Sequence, residues 1–284
     1  MAARAAHHTP ERAGRDRDIV STATAAIDAH DLTAAYGEHM VWSGASFSIP
    51  IGSFTAVLGP NGGGKSTLIR MILGRLAPAG GALTVLGRPP ARGNPLIGYI
   101  PQRSTFDPEL SIRGRDFVSL GIDGHRWGVR LPGGLAAAAT ERSLNAVSAE
   151  AYANRALGRL SGGEQQRLQL AQAIVGDPQL LLMDEPLSQL DVRNQRLIVQ
   201  LIADLTRVRS LTTLLIAHDV NPLLPHIDHV LYVAHGKVAM GKPDEIITSE
   251  ALSEIYSSPV EVLKDRSGRV FVVGLEEEVS HPHH

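Results

Sequence analysis

Nine residues, Gly59, Pro60, Asn61, Gly62, Gly63, Gly64, Lys65, Ser66 and Thr67, constrain this chain more than any other stretch. They fit the pattern G-x-x-x-x-G-K-[ST] at Gly59, Gly64, Lys65 and Ser66. The flanks suit the motif. Residues 54–58 (FTAVL) form a short apolar run expected to be a buried strand, and 67–73 (TLIRMIL) reads as the first turns of a helix. Glycines let the backbone turn tightly and approach a polyphosphate closely. The exposed amides form an anion-binding nest, and the helix dipole adds positive potential. Lys65 supplies a charge for β/γ-phosphates, the Ser66 hydroxyl suits Mg²⁺, and Thr67 can bond an α-phosphate. A glycine-rich turn with a chance Lys-Ser pair is the bland alternative; the strand before it and the helix after it weigh against that.

The 284 residues and 43% hydrophobic content allow one large domain, or one domain with a subdomain. A formal net charge of -2 gives no global basic excess, so nucleic acid is not indicated as a partner. Without cysteine there is no disulfide framework, thiolate metal site or Cys nucleophile. No stretch approaches the ~18–20 apolar residues needed to span a bilayer, and the N-terminus lacks the apolar core of a signal peptide. The protein is therefore expected to stay where it is made, with ATP.

Residues 1–26 are rich in Ala, Arg and Asp and read as a mobile tail, His7 and His8 included. Residues 27–52 read as an antiparallel unit: a strand at 27–32, a turn at AAYGEH, and an alternating strand at 41–49. Tyr36, placed in that turn, offers a ring that could stack on adenine. Further strands are expected at 81–86 and 96–101, the second delivering Gln102. Residues 103–160 carry no strand signal and read as a helical insertion. It comprises a helix at 111–120 capped by Ser111, a loop at 121–134, a helix at 135–147, and helical character at 150–155.

LSGGEQQR (160–167) opens a helix expected to run through Val175, a second helix N-terminus suited to an anion. Because residues 59–67 already hold the chain's own triphosphate, this nest points to the phosphate of another copy, hence to a head-to-tail dimer. The run 180–183 is wholly apolar, as a central parallel strand should be, and ends in Asp184-Glu185-Pro186. Successive strand residues point in different directions, so Asp184 can serve Mg²⁺ while Glu185 faces the attacking water. Ser188-Gln189-Leu190-Asp191 should cap a helix at 192–205, and the strand 211–217 should deliver His218 to the ligand-binding edge of the sheet.

Together these residues resemble the ATP-binding cassette (ABC) family of transport ATPases over roughly 27–240. GPNGGGKST resembles the Walker A loop, Gln102 the Q-loop residue, LSGGEQQR the family signature and LLLMDEP the Walker B strand with its catalytic glutamate. SQLD resembles the D-loop, His218 the switch histidine and Tyr36 the aromatic of the A-loop. Gly63 stands where the family often has Ala, Ser or Cys, and Gln189 where it usually has Ala. Neither removes a chemical group that the family's mechanism needs. The resemblance implies an α/β fold: a RecA-like P-loop NTPase core with an antiparallel β subdomain and an inserted α-helical subdomain. It implies ATP and Mg²⁺ at a site built from Tyr36, residues 59–67, Gln102, Asp184, Glu185 and His218. Glu185, His218 and Gln102 take the catalytic roles, and Ser66, Gln102 and Asp184 the metal ligands. Ser161, Gly162 and Gly163 of a second copy complete that site.

The resemblance further implies a separate transmembrane permease, reached through Gln102 and the helical insertion. It implies a solute-binding protein behind the permease, and a peripheral location on the cytoplasmic face of the plasma membrane. The ABC ATPase domain is expected at 27–240, with the helical subdomain at about 103–160. A C-terminal extension at 241–274 and an acidic, His-containing tail at 275–284 would follow.

Residues 99–121 and 221–263 resemble importers of zinc, manganese or iron, with added strands at 259–263 and 269–273. An importer of siderophores or cobalamin is the nearest rival. A soluble ABC protein acting on ribosomes or DNA usually has two cassettes or a long coiled coil, and neither is found here. A non-hydrolysing regulatory cassette is disfavoured by Glu185 and His218. His229 and His235 are expected on a surface strand. His226 and the terminal His281, His283 and His284 are not expected to form a cargo site, and Glu276–Glu278 reads as a solvated acidic run.

Overall fold

The computed structural model describes residues 25–102, 106–123, 134–266 and 268–273. Three short, largely apolar runs become its innermost strands. They are β3 (Phe54–Leu58), β6 (Leu180–Asp184) and β7 (Thr212–Ile216), each buried at every position. A strand covered on both faces has no reason to alternate, which is why these segments lack a polar-apolar alternation. Two threonines in β7 are accommodated by local bonds. Thr213 Oγ1 lies 2.7 Å from Thr206 Oγ1, and Thr212 Oγ1 accepts from the amide of Gly52 at 3.0 Å.

These strands join β5 (Ile97–Ile100), β8 (His229–Ala234) and β9 (Lys237–Gly241) in a six-stranded sheet of order β5-β6-β7-β3-β8-β9. All neighbouring pairs are parallel except β8 with β9. The carboxyl ends of β3, β5, β6 and β7 therefore share one edge. That edge receives residues 59–64, Gln102, Asp184 with Glu185, and His218. Ligands bind at this edge of an open α/β sheet because the strand ends and helix N-termini converge there.

An antiparallel sheet of order β2-β1-β4 is formed by β1 (Ala25–Tyr36), β2 (His39–Pro50) and β4 (Gly80–Val85). The strands are longer than the sequence suggests. Tyr36 is the last residue of β1, paired with His39, and only Gly37 and Glu38 make the turn. Helix α1 (Lys65–Ile72) is clamped between the two sheets. Its Leu68, Ile69, Met71 and Ile72 pack with Ile27, Trp42 and Ile49 on one side and Leu182, Leu214 and Leu231 on the other. Truncating one such side chain to Ala would cost about 2–5 kcal/mol, so α1 is the keystone of this half of the core.

The opposite face of the central sheet carries α2 (Gly114–Asp123), α3 (Gly134–Ala146), α4 (Gly162–Ile174), α5 (Val192–Val208), α6 (Pro243–Ile246) and α7 (Ser249–Tyr256). Its core runs through Leu144, Leu157, Leu168, Ile198, Ile202 and Leu252. A hairpin of β10 (Glu261–Lys264) and β11 (Val270–Val273) follows, matching the two added strands expected near the C-terminus.

Several local expectations need correction. Ser111 does not cap α2: its hydroxyl bonds the Glu109 carbonyl, and the helix begins only at Gly114, after Arg113 forms a β-bridge with Ala156. Gly121 is not in a loop. It lies in α2, where an added Cβ would meet the carbonyl oxygen of Gln172 on α4, so this glycine serves close helix packing. Helical structure at 150–155 shrinks to one 3-10 turn, Glu150–Tyr152. His229 opens the interior strand β8 and is half-buried, while His235 lies in the turn beyond it with φ 47°. The short strand between them reads as a surface element in the sequence because its partners β3 and β9 are contributed by other segments. His7, His8, Trp127, His281, His283, His284 and 276–278 lie outside the described residues. No helix among the described residues is long and apolar enough to cross a membrane.

Candidate active site

Between β3 and α1 the chain makes the glycine turn that the motif requires. Gly59, Gly62 and Gly64 have φ of 138°, 76° and 99°. At Gly59 an added Cβ would collide with the carbonyl oxygen of Val233 on β8, and at Gly64 it would meet Trp42 Nε1 at 2.7 Å. Glycine is needed at both for backbone conformation and for space. At Gly63 an added Cβ would lie 2.8 Å from the same Val233 oxygen, so this loop sits tightly against β8. Lys65 folds back across the loop, and its ammonium donates to the carbonyl oxygens of Gly59 (2.8 Å) and Pro60 (2.7 Å). Burial lowers the pKa of Lys65, against the opposing pull of Glu185 and Asp184. The charge is thus held ready where phosphate oxygens can replace the loop carbonyls.

Ser66 and Asp184 converge from α1 and β6: the Ser66 hydroxyl donates to Asp184 Oδ1 at 3.4 Å. Burial raises the Asp184 pKa, with Glu185 adding to the rise and the Ser66 bond opposing it. A hydroxyl and a carboxylate brought together in this way are donors of the kind a hard cation takes. Among the described residues no cluster of three or more His, Cys, Asp or Glu forms a metal cage. Mg²⁺ takes one or two protein oxygens and fills its shell with water and phosphate, and the Ser66–Asp184 pair offers that number. The Ser66 hydroxyl, an Asp184 oxygen and the amide oxygen of Gln102 are the donors that could hold it.

Glu185 is aimed differently, but not by strand alternation. β6 ends at Asp184, and Glu185 has left-handed backbone geometry (φ 52°) with its N–H bonded to the carbonyl of Ile216. Its side chain swings between two neighbours. Gln102 Nε2 donates to Oε2 at 2.7 Å, and His218 Nε2 lies 2.8 Å from Oε1. The side chain of Glu185 is only 12% exposed while that of His218 is 46% exposed, so the pair opens toward the surface.

Tyr36 belongs to the same constellation. Its hydroxyl accepts from Arg70 Nη1 at 2.9 Å and lies 3.5 Å from Thr67 Oγ1. Burial pushes its pKa up, but the hydrogen bonds to Thr67 and Arg70 outweigh that and the net shift is downward. Arg70 belongs to no sequence motif, and motif reasoning alone misses it. The signal that could have found it is its position one helical turn after Ser66 and Thr67, on the face they present.

Ser161, Gly162 and Gly163 are placed elsewhere. Ser161 caps α4 through a capping box: its side chain accepts from the Glu164 amide, and Glu164 accepts from the Ser161 amide at 2.8 Å. Gly163 lies beside Asn194 on α5, near the turn at 188–191, and Asp191 caps α5. Among the described residues, none of the three bonds to residues 59–67. The chain thus brings together Tyr36, the glycine loop, Gln102, Asp184, Glu185 and His218, and leaves the second helix N-terminus apart.

The family profile described as ABC transporter matches residues 42–188. The manganese transport system ATP-binding protein MntB of Bacillus subtilis is 32% identical over 240 residues, 84% of this chain and 96% of that protein. The zinc transport system ATP-binding protein TroB of Treponema pallidum is 33% identical over 260 residues, covering 92% and 95%. Among solved structures, CbiO1 of Clostridium perfringens, part of the ABC transporter complex CbiONQ, superposes with a TM-score of 0.70. It is 25% identical, and the match covers 81% of this chain and 94% of that one.

Proposed function

This chain belongs to the ABC transporter family, and on that premise we propose that it is the ATP-hydrolysing subunit of an importer for a divalent metal ion of the zinc, manganese or iron type. The observation that carries the proposal is the convergence of Lys65, Ser66, Asp184, Glu185, Gln102 and His218 on one sheet edge, with Ser161–Gly163 held apart from it. Two copies packed head to tail would bring Ser161, Gly162 and Gly163 of one to the glycine loop of the other. Each ATP then lies between the two, with Tyr36 as the platform for adenine.

In the closed site the amides of residues 59–67 and the Lys65 ammonium hold the phosphates in line for displacement. Mg²⁺ bound by Ser66, Asp184 and Gln102 would neutralise charge on the β- and γ-oxygens. Glu185 accepts a proton from the attacking water, whose oxygen bonds to the γ-phosphorus as the bond to the β-bridging oxygen breaks and ADP departs. His218 holds Glu185 from one side and in the closed site would contact the γ-phosphate. Gln102 links this carboxylate to the start of the helical unit at about 103–160, the route by which closure would reach a transmembrane permease. The protein would then sit peripherally on the cytoplasmic face of the membrane, with a solute-binding protein across it.

The metal cargo is supported by relatives named for manganese and zinc transport that match nearly the whole chain. A siderophore or cobalamin importer has less behind it. To test the proposal, the chain and its copurifying permease are reconstituted in vesicles and ATP turnover is measured with uptake of manganese, zinc or iron. Uptake of one of these that needs ATP is expected. Uptake of a metal chelate alone would overturn the cargo, and RNA-dependent turnover without a permease would overturn the transport role.

A further inference from the structure

The turn that follows His218 is tied to the C-terminal hairpin by one side chain. Asn221 Nδ2 donates to the carbonyl of Val270 at 3.0 Å, and the amide of Val270 donates to Asn221 Oδ1 at 2.7 Å. The side-chain amide thus pairs with β11 as a strand backbone would. Asp219, next to His218, orients it: Asp219 Oδ1 accepts from the Asn221 backbone amide at 2.9 Å and from Nδ2 at 2.7 Å. Both donor hydrogens of the Asn221 amide and its oxygen are committed. An unbroken sequence of contacts runs from β11 through Asn221 and Asp219 to His218, and from there to Glu185.

The hairpin end of this chain of contacts is anchored on its own. Val260 and Val270 are buried in the same core as Val220 and Leu223. The Ser253 hydroxyl both donates to and accepts from the Val260 backbone (3.2 and 2.9 Å), and Ser249 Oγ accepts from the Val262 amide at 2.9 Å. Helix α7, which carries both serines, is joined to β8 by the Tyr256–Tyr232 hydroxyl contact at 2.9 Å. β8 in turn backs the glycine loop through Val233. The hairpin is therefore a fixed post rather than an appendage.

We infer that Asn221 is a positioning residue for hydrolysis: it fastens the segment that follows His218 to the C-terminal hairpin and so sets the geometry of the His218–Glu185 pair. The inference rests on the reading of His218 and Glu185 as catalytic residues. Its expected signature is specific. Losing the tether leaves residues 59–67 untouched, so nucleotide affinity stays while turnover falls. A misplacement of about 1 Å at a reacting group can cost on the order of a hundredfold.

The test compares Asn221→Ala, His218→Ala and the double variant in the full chain by single-turnover ATP hydrolysis, nucleotide affinity and thermal melting. We expect Asn221→Ala to lower the rate constant by roughly ten- to a hundredfold with ATP affinity unchanged. In the His218→Ala background the same change should cost nothing further, because both act through one group. Full turnover by Asn221→Ala beside an impaired His218→Ala would overturn the inference alone, as would losses that multiply in the double variant or a parallel fall in ATP affinity. Full turnover by His218→Ala would instead remove the reading beneath it. Should Asn221→Ala lose cooperative melting, Asn221→Ser carries the same comparison, since its short neutral side chain can still bond Asp219 without bringing a second carboxylate beside it, and cannot pair with both backbone groups of Val270.

Discussion

Gln102 Nε2 donates a 2.7 Å hydrogen bond to Oε2 of Glu185, which joins the end of β5 to the end of β6 at the point where hydrolysis is proposed to occur. In the sequence Gln102 leads directly into the stretch that carries the helical unit. Any movement of that unit which pulls on Gln102 acts directly on Glu185. His218 holds the other oxygen at 2.8 Å, so the carboxylate is fixed from both sides.

Glu185→Gln keeps the shape of this contact set but removes the base. Hydrolysis should fall by about 10²–10⁴-fold, the usual worth of a positioned general base, while ATP still binds. Size-exclusion chromatography with ATP should reveal a trapped dimer, and phosphate release should be nearly absent. Ordinary turnover would rule Glu185 out of this role.

Lys65→Ala removes the one full positive charge in the loop. Because Lys65 is buried, the contact it would make with phosphate is worth about 2–5 kcal/mol, and ATP affinity should drop by roughly 30-fold or more. Fluorescent-nucleotide titration reads this directly, and unchanged affinity would defeat the assignment of residues 59–67.

Asp184→Asn separates function from stability. Burial raises the Asp184 pKa in the folded state, so between its unfolded and folded pKa values the folded protein binds more protons than the unfolded one. The charged carboxylate therefore weakens the fold as pH rises through that window and stays costly above it. The Asn variant, free of that penalty, should melt higher at neutral pH and gain less on acidification, yet lose Mg²⁺-dependent hydrolysis. A lower melting temperature at neutral pH would show that the carboxylate is stabilising after all.

Ser161→Arg tests whether the site is shared. Ser161 is exposed and caps α4, so the substitution should cost about 1 kcal/mol of stability and leave the fold intact. Alone it should abolish turnover. Mixed with Glu185→Gln, itself inactive, it should recover activity, because a head-to-tail mixed dimer contains one site with an intact base and an intact Ser161. Random pairing would restore roughly a quarter of the sites. Full activity of Ser161→Arg as a monomer would end the dimer proposal.

Much of this architecture is legible in the sequence. The three innermost strands announce themselves as short, largely apolar runs, and the glycine loop and the acids at the end of β6 lie within local motifs. Other features are not legible there. Gly121 looks like a loop residue until α4 is placed against α2. Tyr36 looks like a turn residue until its partner His39 extends β1. His229 looks superficial until β3 and β9 flank it.

Local sequence, then, determined which segments are strands or helices and where the glycine loop, the acids and the other candidate site residues fall along the chain, because backbone preference and burial pattern act over a few neighbouring positions. Tertiary structure alone decided where those groups meet. The left-handed turn that aims Glu185, the fastening of Asn221 to Val270, and the separation of Ser161 from residues 59–67 all depend on pairing between segments distant in the chain. Such pairing is set by how the sheets and helices pack, and no single stretch encodes it.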